Sequence, residues 1–233
     1  NNTNTTDTLN AYTLSKGQTI IVQVFAFDGT SNSTLTNSTE LLVSNANPSF
    51  LVNPVINSTT GLNLTTINLN VFFTGNDTDD DAINYSIQYF TNNVSNFTLS
   101  GITANRNVIT VNTLQSRNLT KGQTWKAQVQ LLDGTGNSNY VNTSEILILN
   151  TAPAFDGGYP QINSTDGTNL STRNLRVMFK ANDTDVNDNM NYSLTVYTNN
   201  NTNFTLRNIA YTNGSFITET IQSRNFTKGQ TWK

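Results

Sequence analysis

Hydrophobic and polar residues alternate in short runs along this chain, and turn-forming residues separate the runs. Ile67, Leu69, Val71 and Phe73 alternate with Asn68, Asn70 and Phe72, the period-two pattern of a half-buried strand. The next run sets Ile83, Tyr85, Ile87 and Tyr89 against Asn84, Ser86 and Gln88, and a later one sets Trp125, Ala127, Val129 and Leu131 against Lys126, Gln128 and Gln130. Further extended pieces at 53–57, 96–102, 107–114 and 145–149 bring the expectation to seven strands. Pro54 suits an edge strand or a strand start, and Phe97, Leu99, Ile109 and Val111 are expected in the core. Asp133-Gly134 opens a loop where glycine reaches positive φ easily. No helical periodicity competes. The pattern predicts an all-β fold, an antiparallel β-sandwich.

The pattern repeats. Residues 115–126 read Q-S-R-N-L-T-K-G-Q-T-W-K and return at 222–233 with only Leu119 changed, to Phe226. K-G-Q-T, D-G-T, the S/T-E pair and a closing Pro also occur between residues 16 and 50. The marker lysines Lys16, Lys121 and Lys228 are 105 and 107 residues apart, so the unit is one domain and the chain an array of such domains. The expected division is the latter part of a repeat at 1–48, a complete repeat at 49–153 and the earlier part of another at 154–233. Either the chain is a window on a longer array, or strands from the next copy complete its truncated end. In the first repeat Ile20, Val22, Val24 and Ala26 take the inward positions and 40–43 is the closing strand. In the third, Leu175, Val177 and Phe179, then Tyr192, Leu194 and Val196, do the same. The connections at 44–50 and 150–155 each hold one Pro and one Phe. Such short, stiffened linkers predict a rod or filament.

Composition narrows the function. Charged residues are only 12% of the chain, while 40 Asn and 39 Thr fill their place. A net charge of −3 argues against nucleic acid and anionic membrane surfaces as partners. Cysteine is absent, so no disulfide framework exists, and no apolar run is long enough for a membrane span. The chain has no His, which removes Ser-His-Asp catalysis and imidazole metal sites. We therefore expect no enzyme.

The N-x-S/T sequon occurs 20 times, more often than so Asn- and Thr-rich a chain makes by chance. Each is an acceptor for N-linked glycan. Eight recur at matched places: Asn37 with Asn142, Asn57 with Asn163, Asn63 with Asn169, Asn76 with Asn182, Asn84 with Asn191, Asn93 with Asn200, Asn96 with Asn203 and Asn118 with Asn225. Asn32 and Asn213 complete the candidate set. Asn84 and Asn191 fall on the polar face of their strand, where a glycan has room.

The pattern G-Q-T-W-x-A-x-V-x-x-x-D-G, followed by S-x-x-x-x-x-N-T-A-P, resembles the tandem Ig-like (fibronectin III-like) repeats of archaeal and bacterial surface proteins. Trp125, Asp133-Gly134 and Thr151-Ala152-Pro153 carry that likeness. The acidic stretch N-D-T-D-D-D-A-I-N-Y-S is similar to the D-x-D-x-D-x-x-x-Y loop of the same repeats. The resemblance covers the whole chain and implies tandem Ig-like sandwiches at an archaeal or bacterial cell surface. The first repeat has Ile20 where Trp is expected, so the Trp is a packing choice.

The acidic loops are the one candidate ligand site. Asp77, Asp79 and Asp81, and again Asp183, Asp185 and Asp188, alternate as the oxygen ligands of a hard cation such as Ca²⁺ do. The competing reading is a solvated loop held by Asx-turns. No EF-hand glycine or terminal glutamate is present, and D-V-N-D-N at 185–189, although like a cadherin linker motif, falls between two strands of one domain. The lysines before the Trp strand, with Glu40 and Glu145, admit a Lys–Asn cross-link; the plainer reading is solvated turn lysines and sheet-edge glutamates. Trp125, Phe73, Phe97 and Tyr85 fall on apolar faces and read as core, whereas Phe72, Phe90 and Tyr140 break the alternation and suit an interface with neighbouring chains. Together these features predict a structural subunit of an extracellular glycosylated filament or surface layer. Its partners would be copies of itself or further repeats, joined head to tail, and it needs no cofactor beyond glycans and, in the metal reading, Ca²⁺. The alternatives are the stalk of a cell-surface adhesin and a non-catalytic appendage of a secreted enzyme.

Overall fold

The computed structural model describes residues 5–10, 14–185 and 188–233. The chain is all-β with antiparallel sheets, and only single 3-10 turns at Ser116–Asn118 and Ser223–Asn225 interrupt the strands among the described residues. It divides into two compact units, residues 1–59, 69–114 and 124–146 in one and 60–68, 115–123 and 147–233 in the other.

The first unit opens with four two-residue strands: β1 (Thr19–Ile20), β2 (Gln23–Val24), β3 (Thr36–Asn37) and β4 (Leu41–Leu42). β1 pairs with β4 and β2 with β3. Then follow β5 (Ser49–Ser58), β6 (Leu69–Asn76), β7 (Ile83–Thr91), β8 (Val94–Ala104), β9 (Ile109–Leu114), β10 (Thr124–Leu132), β11 (Val141–Asn142) and β12 (Ile146–Leu147). One sheet has the order β5-β6-β9, the other β11-β10-β7-β8 with β12 also on β10. Pro54, which has no N–H to give a ladder, lies in edge strand β5, where the register with β6 shifts between Val52 and Val55.

The three alternating runs form the core as expected. Leu69, Val71 and Phe73 of β6, Ile83, Tyr85, Ile87 and Tyr89 of β7, and Trp125, Ala127, Val129 and Leu131 of β10 are all 2% exposed or less. The two sheets meet through rings: Phe73 stands edge-on to Tyr85 at 5.1 Å, with Phe50 edge-on to Phe73 at 5.8 Å. Such contacts add roughly 0.5–1.5 kcal/mol each beyond the area they bury. Gly75 leaves room for Leu131, whose Cδ1 would stand 2.9 Å from a Cβ there and would have to shift.

Three core expectations fail in β8 and β9. Ile109 and Val111 are 69% and 52% exposed, because β9 turns Thr110, Asn112 and Leu114 inward instead. Asn112 takes that place by bonding two core tyrosines: Tyr89 Oη donates to its Oδ1 at 2.8 Å, and its Nδ2 donates to Tyr85 Oη at 3.0 Å. Leu99, 39% exposed, pairs with Ile87 on the sheet's last strand, where nothing lies beyond it. Phe97 is half-buried with its ring 4.9 Å from Tyr89. On the outer face Phe72 lies in one cross-strand row with Val55 and Val111.

In the first repeat Ile20 is half-buried, but Val22 and Val24 are 55% and 59% exposed and Ala26 is exposed too. Their counterparts Ala127, Val129 and Leu131 are buried in β10, which β7 pairs from Trp125 to Leu132. Among the described residues β1 and β2 pair only with β4 and β3.

The second unit continues with β13 (Ala154–Phe155), β14 (Gln161–Ser164), β15 (Leu175–Asn182), β16 (Met190–Thr198), β17 (Asn201–Tyr211) and β18 (Phe216–Ile221). β15 pairs with β13, β14 and β18, and β16 with β17. Val177, Phe179, Val196, Tyr211 and Ile221 form its buried cluster, with Leu175, Tyr192 and Leu194 packed against it. Phe155, Phe179 and Tyr192 repeat the ring set of Phe50, Phe73 and Tyr85. Tyr192 Oη again bonds a polar residue from the strand corresponding to β9, here Glu219.

Candidate functional site

The K-G-Q-T turn has a physical reason for each of its middle residues. Gly17, Gly122 and Gly229 hold φ of 80°, 83° and 88°, which only glycine adopts without strain. Gln18 Oε1 accepts the Ser15 amide at 2.8 Å, Gln123 Oε1 the Thr120 amide at 2.9 Å and Gln230 Oε1 the Thr227 amide at 2.8 Å. The glycine amide also donates onto the closing strand, from Gly17 to Val43 O and from Gly122 to Ile148 O. The turn thus presents its lysine in a fixed place.

That lysine meets the linker and the acidic loop of the following repeat. In the first unit Lys16 Nζ bonds the Asp81 carboxylate and donates to Asn45 Oδ1 at 3.0 Å. Asn45 Nδ2 donates to Ala46 O at 2.9 Å, and the Ala46 amide donates to Asp79 Oδ2 at 2.5 Å. In the second unit Lys121 Nζ bonds Asp188 and donates to Asn150 Oδ1 at 3.1 Å. Asn150 Nδ2 donates to Thr151 O at 2.9 Å, and the Thr151 amide donates to Asp185 Oδ2 at 2.7 Å. Inside each loop the second aspartate's amide caps the first, Asp79 N on Asp77 Oδ1 and Asp185 N on Asp183 Oδ1, both at 2.8 Å. The same clasp is built twice.

Half-exposed ion pairs hold such a joint weakly and loosen with salt. The backbone amides on carboxylates matter more, because hydrogen bonds to charged groups contribute about 1.5–3 kcal/mol. Asp185 is 4% exposed and takes, besides Thr151 N, the Thr65 hydroxyl.

The two joints differ in one respect. Asn45 Nδ2 also donates to Asp133 Oδ2 at 2.9 Å, which brings the D-G loop aspartate into the first joint. Asp133 Oδ1 accepts the amides of Thr135 and Gly136 at 2.6 and 2.5 Å. Burial opposes its ionisation, but the Asn45 amide, those two N–H groups and the nearby Lys16 ammonium together hold it below the usual carboxylate range. Lys16 is shifted up by its hydrogen bond to Asp81. Lys16 and Lys121 are thus held by linker and acidic-loop groups and are not free solvated turn residues. Glu145 stands 3.7 Å from Lys126.

The structure therefore gathers Asp77 and Asp81 with Asp133 in one cluster and Asp183, Asp185 and Asp188 in another, while Asp79 binds the Ala46 amide instead. Val186 and Asn187 of the D-V-N-D-N string lie outside the described residues. Sequence reasoning missed Asn45, Asn150 and Asp133 as members. The recurring 29-residue interval from Lys16 to Asn45 and from Lys121 to Asn150 was the signal for two of them. Asp133 carried none beyond its turn dipeptide.

Of the sequon asparagines, Asn32, Asn37, Asn57, Asn84, Asn93, Asn96, Asn118, Asn142, Asn163, Asn169, Asn182, Asn191, Asn200, Asn203, Asn213 and Asn225 are exposed. Asn63 and Asn76 are half-buried. Phe90 is half-buried beneath the Lys126 ammonium at 5.6 Å, and Tyr140 is 60% exposed. No helix among the described residues is long and apolar enough to cross a membrane. No protein-family model matches the chain, and no curated protein matches it in sequence.

Proposed function

We propose that the chain is a structural, non-enzymatic part of an extracellular glycosylated filament or surface layer, built from tandem Ig-like β-sandwich repeats. The observation that carries this reading is the duplicated clasp, in which the turn lysine and linker asparagine of one repeat bind the acidic loop of the next. An array that transmits load needs the same fixed joint at every junction, and a chain of freely jointed binding modules does not. The paired aromatic sets Phe50–Phe73–Tyr85 and Phe155–Phe179–Tyr192 support one sandwich design used repeatedly. Exposed sequons on polar strand faces support a glycan coat, which adds solubility where charge is scarce and blunts sheet edges against unwanted pairing. Copies of the chain, or further repeats, are the partners this reading requires.

Electron cryo-microscopy of the native assembly tests it. The expected map shows repeats following one another head to tail, with sugar density on Asn84 and Asn191. Bare asparagines at those two positions would refute the glycan coat. A terminal domain of different sequence that alone binds a surface would move the assignment to an adhesin stalk.

A further inference from the structure

The first joint carries more negative charge than its lysine offsets. Asp79, Asp81 and Asp133 all act on one ammonium, Lys16, and one oxygen from each of Asp77, Asp81 and Asp133 lies within 4.8 Å of the others. Asp77 is 2% exposed. Its Oδ1 takes the Asp79 amide, yet its Oδ2 is buried without any hydrogen-bond partner. An ionised oxygen out of water and unpaired costs free energy unless a cation meets it.

We propose that Asp77, Asp81 and Asp133 form a Ca²⁺ site that locks the joint between the first and second repeats. All three donors are carboxylate oxygens, the ligands hard cations take. A set of carboxylates suits Ca²⁺, which takes roughly six to eight oxygens at flexible angles, better than Mg²⁺, which demands a near-ideal octahedron and keeps several waters. Two of the three ligands are also held in place. Backbone amides orient Asp77 and Asp133, and Asn45 ties Asp133 to the linker. Lys16, with its side chain 32% exposed, acts as the competing counter-ion that the metal displaces from Asp81. Asp183, Asp185 and Asp188 form a similar acidic group, but no carboxylate oxygen there is buried and unpartnered among the described residues. The assignment therefore stops at the first joint.

The test uses the whole chain, with melting curves and calorimetric titration in CaCl₂, MgCl₂ and EDTA. A dissociation constant near 10⁻³ M, in the range of extracellular modules, gives a rise in Tm of roughly 3–6 °C in 10 mM CaCl₂. Asp77→Asn keeps the Oδ1 acceptor and removes one crowded charge. It should melt no lower than wild type in EDTA and show no calcium shift, whereas a purely structural aspartate would melt lower in both. Asp133→Asn should lose the shift as well, and Asp183→Asn at the second joint should keep it. Lys16→Gln should tighten calcium binding several-fold. The site is refuted if calcium neither moves Tm nor gives binding heat, if Mg²⁺ acts equally, if Asp77→Asn and Asp133→Asn respond like wild type, or if Lys16→Gln weakens binding.

Discussion

Tyr89 donates its phenolic hydrogen to Asn112 Oδ1 at 2.8 Å, from β7 of one sheet to β9 of the other. This one bond explains why β9 turns a polar residue to the core and its Ile and Val outward. A buried phenol needs a partner, and Asn112 has a donor left for Tyr85 as well. Burial raises the Tyr89 pKa well above its ordinary value, so the phenol stays protonated and able to donate.

Asn112→Leu should therefore destabilise the first unit even though it adds apolar surface. Two core hydroxyls lose their partner, at about 1–3 kcal/mol for each unsatisfied group. Urea unfolding would show a lower midpoint at unchanged slope. A midpoint equal to or above wild type would mean that the tyrosines find other acceptors.

Gly75→Ala should also destabilise. The new methyl meets Leu131 Cδ1 at 2.9 Å and Ile83 Cδ1 at 3.6 Å, and overpacking a filled core costs typically 1–3 kcal/mol. Gly75→Ala with Leu131→Val should recover most of the loss in the same urea assay.

At the second joint, Asp185→Ala removes the acceptor of both the Thr151 amide and the Thr65 hydroxyl. Hydrogen–deuterium exchange at residues 150–155 should speed up by roughly tenfold or more, in line with the 1.5–3 kcal/mol of a charge-assisted bond. Exchange in β10 should stay as in wild type. Uniform acceleration throughout would mean that Asp185 supports the fold rather than the joint.

Tyr192 gives a pH dependence with a definite sign. Its hydrogen bond to Glu219, then burial, push its pKa up to about 12 from 10.0. The folded state then holds the proton more tightly than the unfolded one. The contribution is fully present below pH 10 and is lost as pH rises through about 12. Spectrophotometric titration of tyrosinate should show one group ionising late in wild type and earlier in Glu219→Gln.

The period-two runs were legible because burial is decided locally when one face of a strand is apolar and the other polar. β6, β7 and β10 needed only their own residues to declare the core, and the 105- and 107-residue intervals declared the repeat. β9 was misread because its inward face is polar: Ile109 and Val111 have the stronger hydrophobicity, but the tyrosine hydroxyls opposite reward Asn112. Leu99 was misread because sheet position, which alternation does not encode, leaves an inward residue on the last strand uncovered.

The acidic loops were visible as residues and invisible as a joint. Sequence by itself determined the all-β class, the repeat unit, the aspartates and the sequons, since each follows from short-range pattern or composition. Only the tertiary structure decided that Lys16 meets Asp81, 65 residues away, and Lys121 meets Asp188, 67 residues away. It also brought Asp133 beside Asp77. Charges attract across space whatever their separation along the chain, so which of them meet is settled only once the sheets have packed.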